Sequence, residues 1–282
     1  MQPKSIKTVI YANQFQMGEL LIRQPLPSAQ ESYFDPFILL HHGHVTFENG
    51  TDLKKAGVGP HPHRGFSPVT FVFKGGTHHR DSRGNDSEIY EGGTQWMHAG
   101  MGIMHSERPL ADELEIIQLW INSPAKNKMD IPHYYPLKKE DTPLVTSTDG
   151  LLSWQVVSGT IKGVSGKIPS LTPIDSAMLH FKKGGLDTIQ TNNSFNTCLY
   201  ILKGSLKLNG KTINALHLVT FENDGDAITI ECEEEGYALF LSGSPIAEKI
   251  ETHGPFVMNT STQIMEAYRD YQMGKMGLLI ED

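Results

Sequence analysis

The chain is expected to be all-β, with two strand-built domains and one C-terminal helix, and three observations predict this. Short runs of Val, Ile, Leu, Phe and Thr recur along its 282 residues, broken by 27 glycines and 16 prolines, as in sandwiches and barrels of short strands. Helical periodicity is absent until the tail, where Thr260-Ser261-Thr262-Gln263 has capping-box form and Ile264, Met265, Tyr268 and Tyr271 follow at helical spacing, with Gly274 able to stop the helix. A weak internal repeat relates Phe71-Val72-Phe73-Lys74-Gly75-Gly76 to Tyr200-Ile201-Leu202-Lys203-Gly204-Ser205, 129 residues on. The length suits two domains of middling size with cores that need no disulfide staples.

Strands are expected at 5–11, 19–23, 37–45, 67–73, 86–90, 94–99 and 113–121, each an apolar or β-branched run bounded by Gly, Pro or Asn/Asp clusters. The stretch 122–150, with Asn122-Ser123-Pro124, Ile131-Pro132, Tyr135-Pro136 and Thr142-Pro143, reads as a connection. Strands resume near 151–158, 174–181, 197–203, 216–221, 226–231 and 237–242. This places an N-terminal domain at 1–135, a connection at 136–150 and a C-terminal domain at 151–282, whose helix at about 261–274 covers one of its faces.

The formal net charge of −8 argues against direct nucleic-acid binding, which leans on clustered Lys and Arg. No apolar stretch approaches the ~18–20 residues of a membrane helix, and no apolar segment follows Met1-Gln2-Pro3-Lys4-Ser5-Ile6-Lys7 to act as a secretion signal. Cys198 and Cys232 lie in apolar runs and read as buried free thiols. A cytoplasmic monomer without a membrane partner is expected.

Nine of the thirteen histidines fall between His41 and His105. Within that crowd, His61-Pro62-His63 and His105-Ser106-Glu107 are i, i+2 pairs of metal-binding side chains. Alternate residues of a strand share a face, so two facing strands could aim three imidazoles and a carboxylate into one cavity. Such donors suit a first-row divalent cation with open positions for oxygen chemistry. The rival pair His42-Gly43-His44 carries a glycine that suggests a strand end or bulge. Adjacent His78 and His79 would face opposite ways near a turn at Arg83-Gly84-Asn85, so both clusters read as polar loop chemistry. Carrying the repeat offset forward sets Gln190 and Asn192 where His61 and His63 stand, so the second domain is expected to lack a metal.

The runs His61-Pro62-His63-Arg64-Gly65-Phe66, His79-Arg80-Asp81-Ser82, Gly93-Thr94-Gln95-Trp96-Met97 and Gly102-Ile103-Met104-His105-Ser106-Glu107 closely resemble the pirin family. His253-Gly254-Pro255-Phe256-Val257-Met258-Asn259-Thr260 and Asp270-Tyr271-Gln272 resemble that family's ending. The resemblance implies two cupin-type (jelly-roll) β-barrels, the first holding one Fe(II) through His61, His63, His105 and Glu107, with Zn, Ni, Cu, Mn or Co able to substitute. Two departures stand out: Ser67-Pro68-Val69 replaces the family's usual Glu-Thr-Val, and His41-His42-Gly43-His44 replaces an acidic residue usual after Asp35-Pro36-Phe37.

Pirin-like proteins include quercetin 2,3-dioxygenases, so the resemblance implies oxidative ring opening of a flavonol or related enol by dioxygen. Glu107 would be the catalytic base as well as a ligand. Phe66, Trp96, Met97 and Met104 are candidate walls for the aromatic substrate, and Arg64 either binds an anionic group or is paired internally. The alternative is a non-enzymatic, metal-dependent and redox-sensitive regulator that binds a transcription factor or metabolic enzyme.

Overall fold

The computed structural model describes residues 1–17 and 20–281. Strands dominate, and the one α-helix among the described residues is Ser261–Gln272. Among the described residues no helix is long and apolar enough to cross a membrane. The expected strand at 19–23 starts on Glu19, outside the described residues, and the observed strand is Leu20–Leu26.

By internal contacts the chain forms two units, and neither is a contiguous half. The first comprises Phe15–Ile22, Phe37–Lys139 and Ile246–Asp282; the second comprises Met1–Gln14, Arg23–Pro36 and Glu140–Pro245. The sequence-based division at 136–150 therefore misplaces both ends of the chain. Strand Ile6–Tyr11 pairs with His217–Phe221, and its Ile6 and Val9 pack on the core of the second unit. The C-terminal helix instead buries Ile264 and Ala267 against Phe256, Met258, Met104 and Met276 of the first unit. Local periodicity reports which face of an element is apolar, and says nothing about which distant surface covers it.

In the first unit, strands His133–Leu137, Thr94–His98, Phe66–Lys74, Glu113–Asn122 and Phe37–Thr46 lie side by side in one sheet. A second sheet has the order Val58–His63, Ile103–Pro109, Gly76–Asp81 and Asp86–Tyr90. Hydrogen bonds from Thr70, Gln95 and Gln118 of the first sheet reach Glu107 of the second, so the sheets face one another across that carboxylate. Pro68, which has no N–H to offer, keeps its place in the ladder opposite Trp120. The stretch expected as a plain connection contains two further strands, His133–Leu137 and Leu144–Thr146.

The second unit is built on one sheet with the order Ile6–Tyr11, His217–Phe221, Asn196–Leu208, Ala227–Gly243, Ile174–Phe181, Leu152–Ser158 and Leu144–Thr146. Trp154, Leu179, Leu199, Phe240 and their neighbours form its apolar core. Ala227–Gly243 is a single long strand where two were expected at 226–231 and 237–242. Its partner Asn196–Leu208 absorbs the bend through register shifts around Lys203 and Ser205. Both Lys-Gly steps of the internal repeat carry a left-handed glycine, Gly75 at φ 73° and Gly204 at φ 82°. Cys198 and Cys232 are buried and unbridged, and burial raises the Cys232 thiol to about 12.

The helix itself starts as its sequence demands. Thr260 accepts from the Gln263 backbone N–H at 3.2 Å, and the Gln263 side chain reaches back to the Thr260 N–H at 3.1 Å. Met265 and Tyr271, expected on the apolar face, are exposed instead, and Ala267 takes the buried position.

Candidate metal centre

Strands Val58–His63 and Ile103–Pro109 run antiparallel, with His61 opposite His105 and His63 opposite Ile103. The period of two turns all three imidazoles to one side, and their donor atoms lie within 4.8 Å of one another. His61 Nδ1 is 2.8 Å from the Gly59 carbonyl oxygen, and His63 Nδ1 is 3.4 Å from that of Pro255. A carbonyl can only accept, so both rings donate from Nδ1. The two Nε2 atoms then face each other 3.1 Å apart with lone pairs and no proton between them. Among the described residues, His105 Nε2 is buried without a hydrogen-bond partner. Three inward lone pairs with nothing to receive them fit a cation, and the donor set suits a first-row divalent metal.

Glu107 shares the face of His105 but is not a member of that 4.8 Å group. The pairing with Val58–His63 shifts register between His105 and Glu107, whose carboxylate reaches the facing sheet. There its Oε1 accepts from Thr70 Oγ1 at 2.8 Å and from Gln95 Nε2, and its Oε2 accepts from Gln118 Nε2 at 2.7 Å. Glu107 also lines a cavity of about 80 Å³, which the three imidazoles do not line. Its other walls include Met17, Ile22, Val45, Phe47, Leu114 and Ile116. The four residues expected as walls belong elsewhere. Phe66 lies edge-on to His63 at 5.0 Å, Met97 packs on Ala99 and Ile103, Met104 packs under the helix, and Trp96 is buried.

Burial, reinforced by the neighbouring imidazole of His61, holds His63 and His105 well below the ordinary histidine value. Both rings are neutral in the fold, whereas in the unfolded chain they take up protons around 6.5. Burial likewise pushes His41, which lines the cavity, down to about 4. Their contribution to stability is therefore complete above about pH 6.5 and is lost as the pH falls below it. Thermal denaturation of metal-free protein should give a midpoint that declines from pH 6.5 to 5; one that rises on acidification would contradict this.

The remaining histidines divide by face. His42 Nε2 meets Glu115 at 3.1 Å in a buried pair, and His44 meets Glu113 at 2.8 Å near the surface. Gly43 lies within the continuous strand Phe37–Thr46, so the expected bulge is absent and the pair serves two carboxylates across the ladder. His78 turns outward to Asp86 at 2.6 Å. His79 turns inward, contrary to the loop reading, and its Nδ1 lies 3.5 Å from His105 Nδ1. The alternation of faces was legible in the sequence, but which strand would lie beside His105 was not. Arg64 is paired internally: its Nε donates to the Met101 carbonyl at 2.7 Å and its Nη1 to Asp270 of the helix at 3.1 Å.

Lys128 went unnoticed in the sequence. It is 1% exposed, and its Nζ donates to the carbonyl oxygens of Gly65 (2.7 Å) and Val257 (3.1 Å) and to Asn122 Oδ1 (2.7 Å). It thereby ties the end of the histidine run to the C-terminal segment.

The family model described as Pirin matches residues 19–121, and that of the pirin C-terminal cupin domain matches 177–277. A pirin-like protein of Caulobacter vibrioides is 36% identical over 88% of this chain and 89% of its own length. Pirin-1 of Arabidopsis thaliana is 34% identical over 98% of this chain and 95% of its own. A crystal structure of quercetin 2,3-dioxygenase from Acinetobacter baumannii superposes with a TM-score of 0.91 at 29% identity, covering 99% of this chain and 100% of that one. Two cupin-domain matches, a three-histidine group in the first unit that could hold a metal ion, and relatives above 30% identity along most of the chain together establish that the chain belongs to the pirin family.

Proposed function

We propose that the protein is an Fe(II)-dependent dioxygenase of the quercetin 2,3-dioxygenase type, opening the ring of a flavonol or a related aromatic enol with dioxygen. One observation carries this reading: Glu107, two residues from His105 on the same strand, lines a largely apolar cavity. A proton-accepting carboxylate is thereby shared between the place for a cation and the place for a flat apolar substrate. In this reading His61, His63 and His105 hold the cation, with Glu107 as the fourth ligand.

Bound iron would supply a Lewis acid that eases ionisation of the enol hydroxyl, together with open positions for oxygen chemistry. Glu107 takes the hydroxyl proton. Thr70, Gln95 and Gln118 hold its carboxylate from the facing sheet, so the accepting oxygen needs no reorientation when substrate arrives. The apolar walls exclude water and favour an uncharged ring system. His41 and Gln118, opposite one another on paired strands, put polar atoms in that lining where a second hydroxyl could bond.

Oxygen uptake decides the reading. Iron-loaded protein given quercetin should consume oxygen, and His61→Ala should abolish both bound iron and uptake. Fully iron-loaded wild type that consumes none with flavonols would overturn the proposal and leave the regulatory role.

A further inference from the structure

We propose that His79 and Asp81 form a buried relay behind His105 that fixes which of its nitrogens faces the cation, and so sets the affinity and electronic character of the centre. This rests on the metal-site reading above.

The strand Gly76–Asp81 lies against Ile103–Pro109 on the side away from Val58–His63, with Asp81 opposite His105 and His79 opposite Glu107. Residues 79 and 81 share a face, as do 105 and 107, so the pairing brings all four to one side. Asp81 Oδ1 accepts from the backbone N–H groups of Arg83 at 2.9 Å and Asn85 at 3.0 Å, and its Oδ2 from Asn85 Nδ2 at 2.7 Å. Held by these donors it is a carboxylate, which can only accept. His79 Nε2, 3.2 Å from Oδ2, is therefore the donor, and the neutral imidazole that the relay requires has its lone pair on Nδ1. That lone pair receives the Nδ1–H of His105 across 3.5 Å. His105 is left with its lone pair on Nε2, the buried atom without a partner among the described residues.

The relay is also held in place. Tyr134 stacks flat on His79, with ring centroids 4.0 Å apart and planes 5° from parallel. His79 and Asp81 are 1% and 4% exposed, so solvent does not compete for these bonds. Carboxylates behind ligating imidazoles orient the ring and make it a stronger donor.

Asp81→Asn provides the test. Oδ1 stays with the Arg83 and Asn85 backbone donors, so the new amide presents its NH₂ to His79 Nε2, and the Asn85 side-chain amide turns to accept with its Oδ1 where its Nδ2 now donates. That inverts the relay: His79 becomes protonated on Nδ1, and the His105 proton moves to Nε2, into the centre. Histidine ¹⁵N–¹H spectra of the metal-free protein at one fixed pH read the tautomer directly. Wild type should show His105 protonated on Nδ1, and Asp81→Asn should show it on Nε2. Competition binding of Co(II), with the visible spectrum of the bound ion as a second readout, should show a roughly 10- to 100-fold loss of affinity in Asp81→Asn. Asp86→Asn removes the same kind of carboxylate from the outward-facing His78 and should leave tautomer, spectrum and affinity unchanged.

A wild-type His105 protonated on Nε2, or an Asp81→Asn protein with wild-type affinity and spectrum, overturns the proposal. Wild type that binds no cobalt overturns the metal-centre reading and the affinity half of this one, while the metal-free spectra still decide the relay.

Discussion

Glu107→Gln should lower flavonol-dependent oxygen uptake by roughly 10²- to 10⁴-fold, the usual contribution of a positioned proton acceptor. The side chain keeps its shape. Thr70, Gln95 and Gln118, which now hold the carboxylate, can turn their hydroxyl and amides to suit an amide, so the fold should survive. Three imidazoles remain, so much of the iron should stay bound. Measuring uptake and iron content on the same sample separates loss of a base from loss of the metal. A variant that retains iron and turns over at the wild-type rate would remove Glu107 from proton transfer.

Gly65→Ala should be among the most destabilising single-methyl changes in the chain. Gly65 has φ 85°, where a side chain is strained, and its new Cβ would lie 2.0 Å from the Val257 carbonyl oxygen and 2.8 Å from Met258 Sδ. The obstruction is backbone, which cannot rotate aside. Lys128 pins both sides of that contact, since its Nζ donates to the carbonyls of Gly65 and of Val257. An alanine there must push the histidine run and the C-terminal segment apart, at about 3 kcal/mol or more. Chemical denaturation should show the loss, and metal affinity should fall with it because His63 leans on Pro255 in the same segment. Wild-type stability in Gly65→Ala would mean that this contact is looser than the geometry indicates.

That His61 and His63 share a face could be read from the sequence, because it depends only on the two-residue period of a strand; that His105 lies opposite His61 depends on pairing between distant strands, and the family resemblance points to it. Asp86–Tyr90 and Ile174–Phe181 fell where they were expected because their patterns are local, as did the helix start, whose capping residues are neighbours in sequence. What escaped notice depends on pairing between distant segments. The inward turn of His79 matters only because Gly76–Asp81 lies beside Ile103–Pro109, and Lys128 matters only because Val257 arrives from the far end of the chain. Ala227–Gly243 is one strand across the expected gap at 232–236 because long-range pairing with Asn196–Leu208 continues through it. The expected substrate walls, Phe66, Trp96, Met97 and Met104, lie near the histidines in sequence, whereas the cavity's lining includes Met17 and residues of the Phe37–Thr46 and Glu113–Asn122 strands.

The Pro255 carbonyl that orients His63, and the Val257 carbonyl that Lys128 grips, come from residues made almost two hundred positions after the histidine run. During synthesis the ligand strands therefore leave the ribosome long before the groups that align one of their rings. A growing chain should carry the histidines without a finished centre, and high-affinity metal capture should switch on only when the last segment docks.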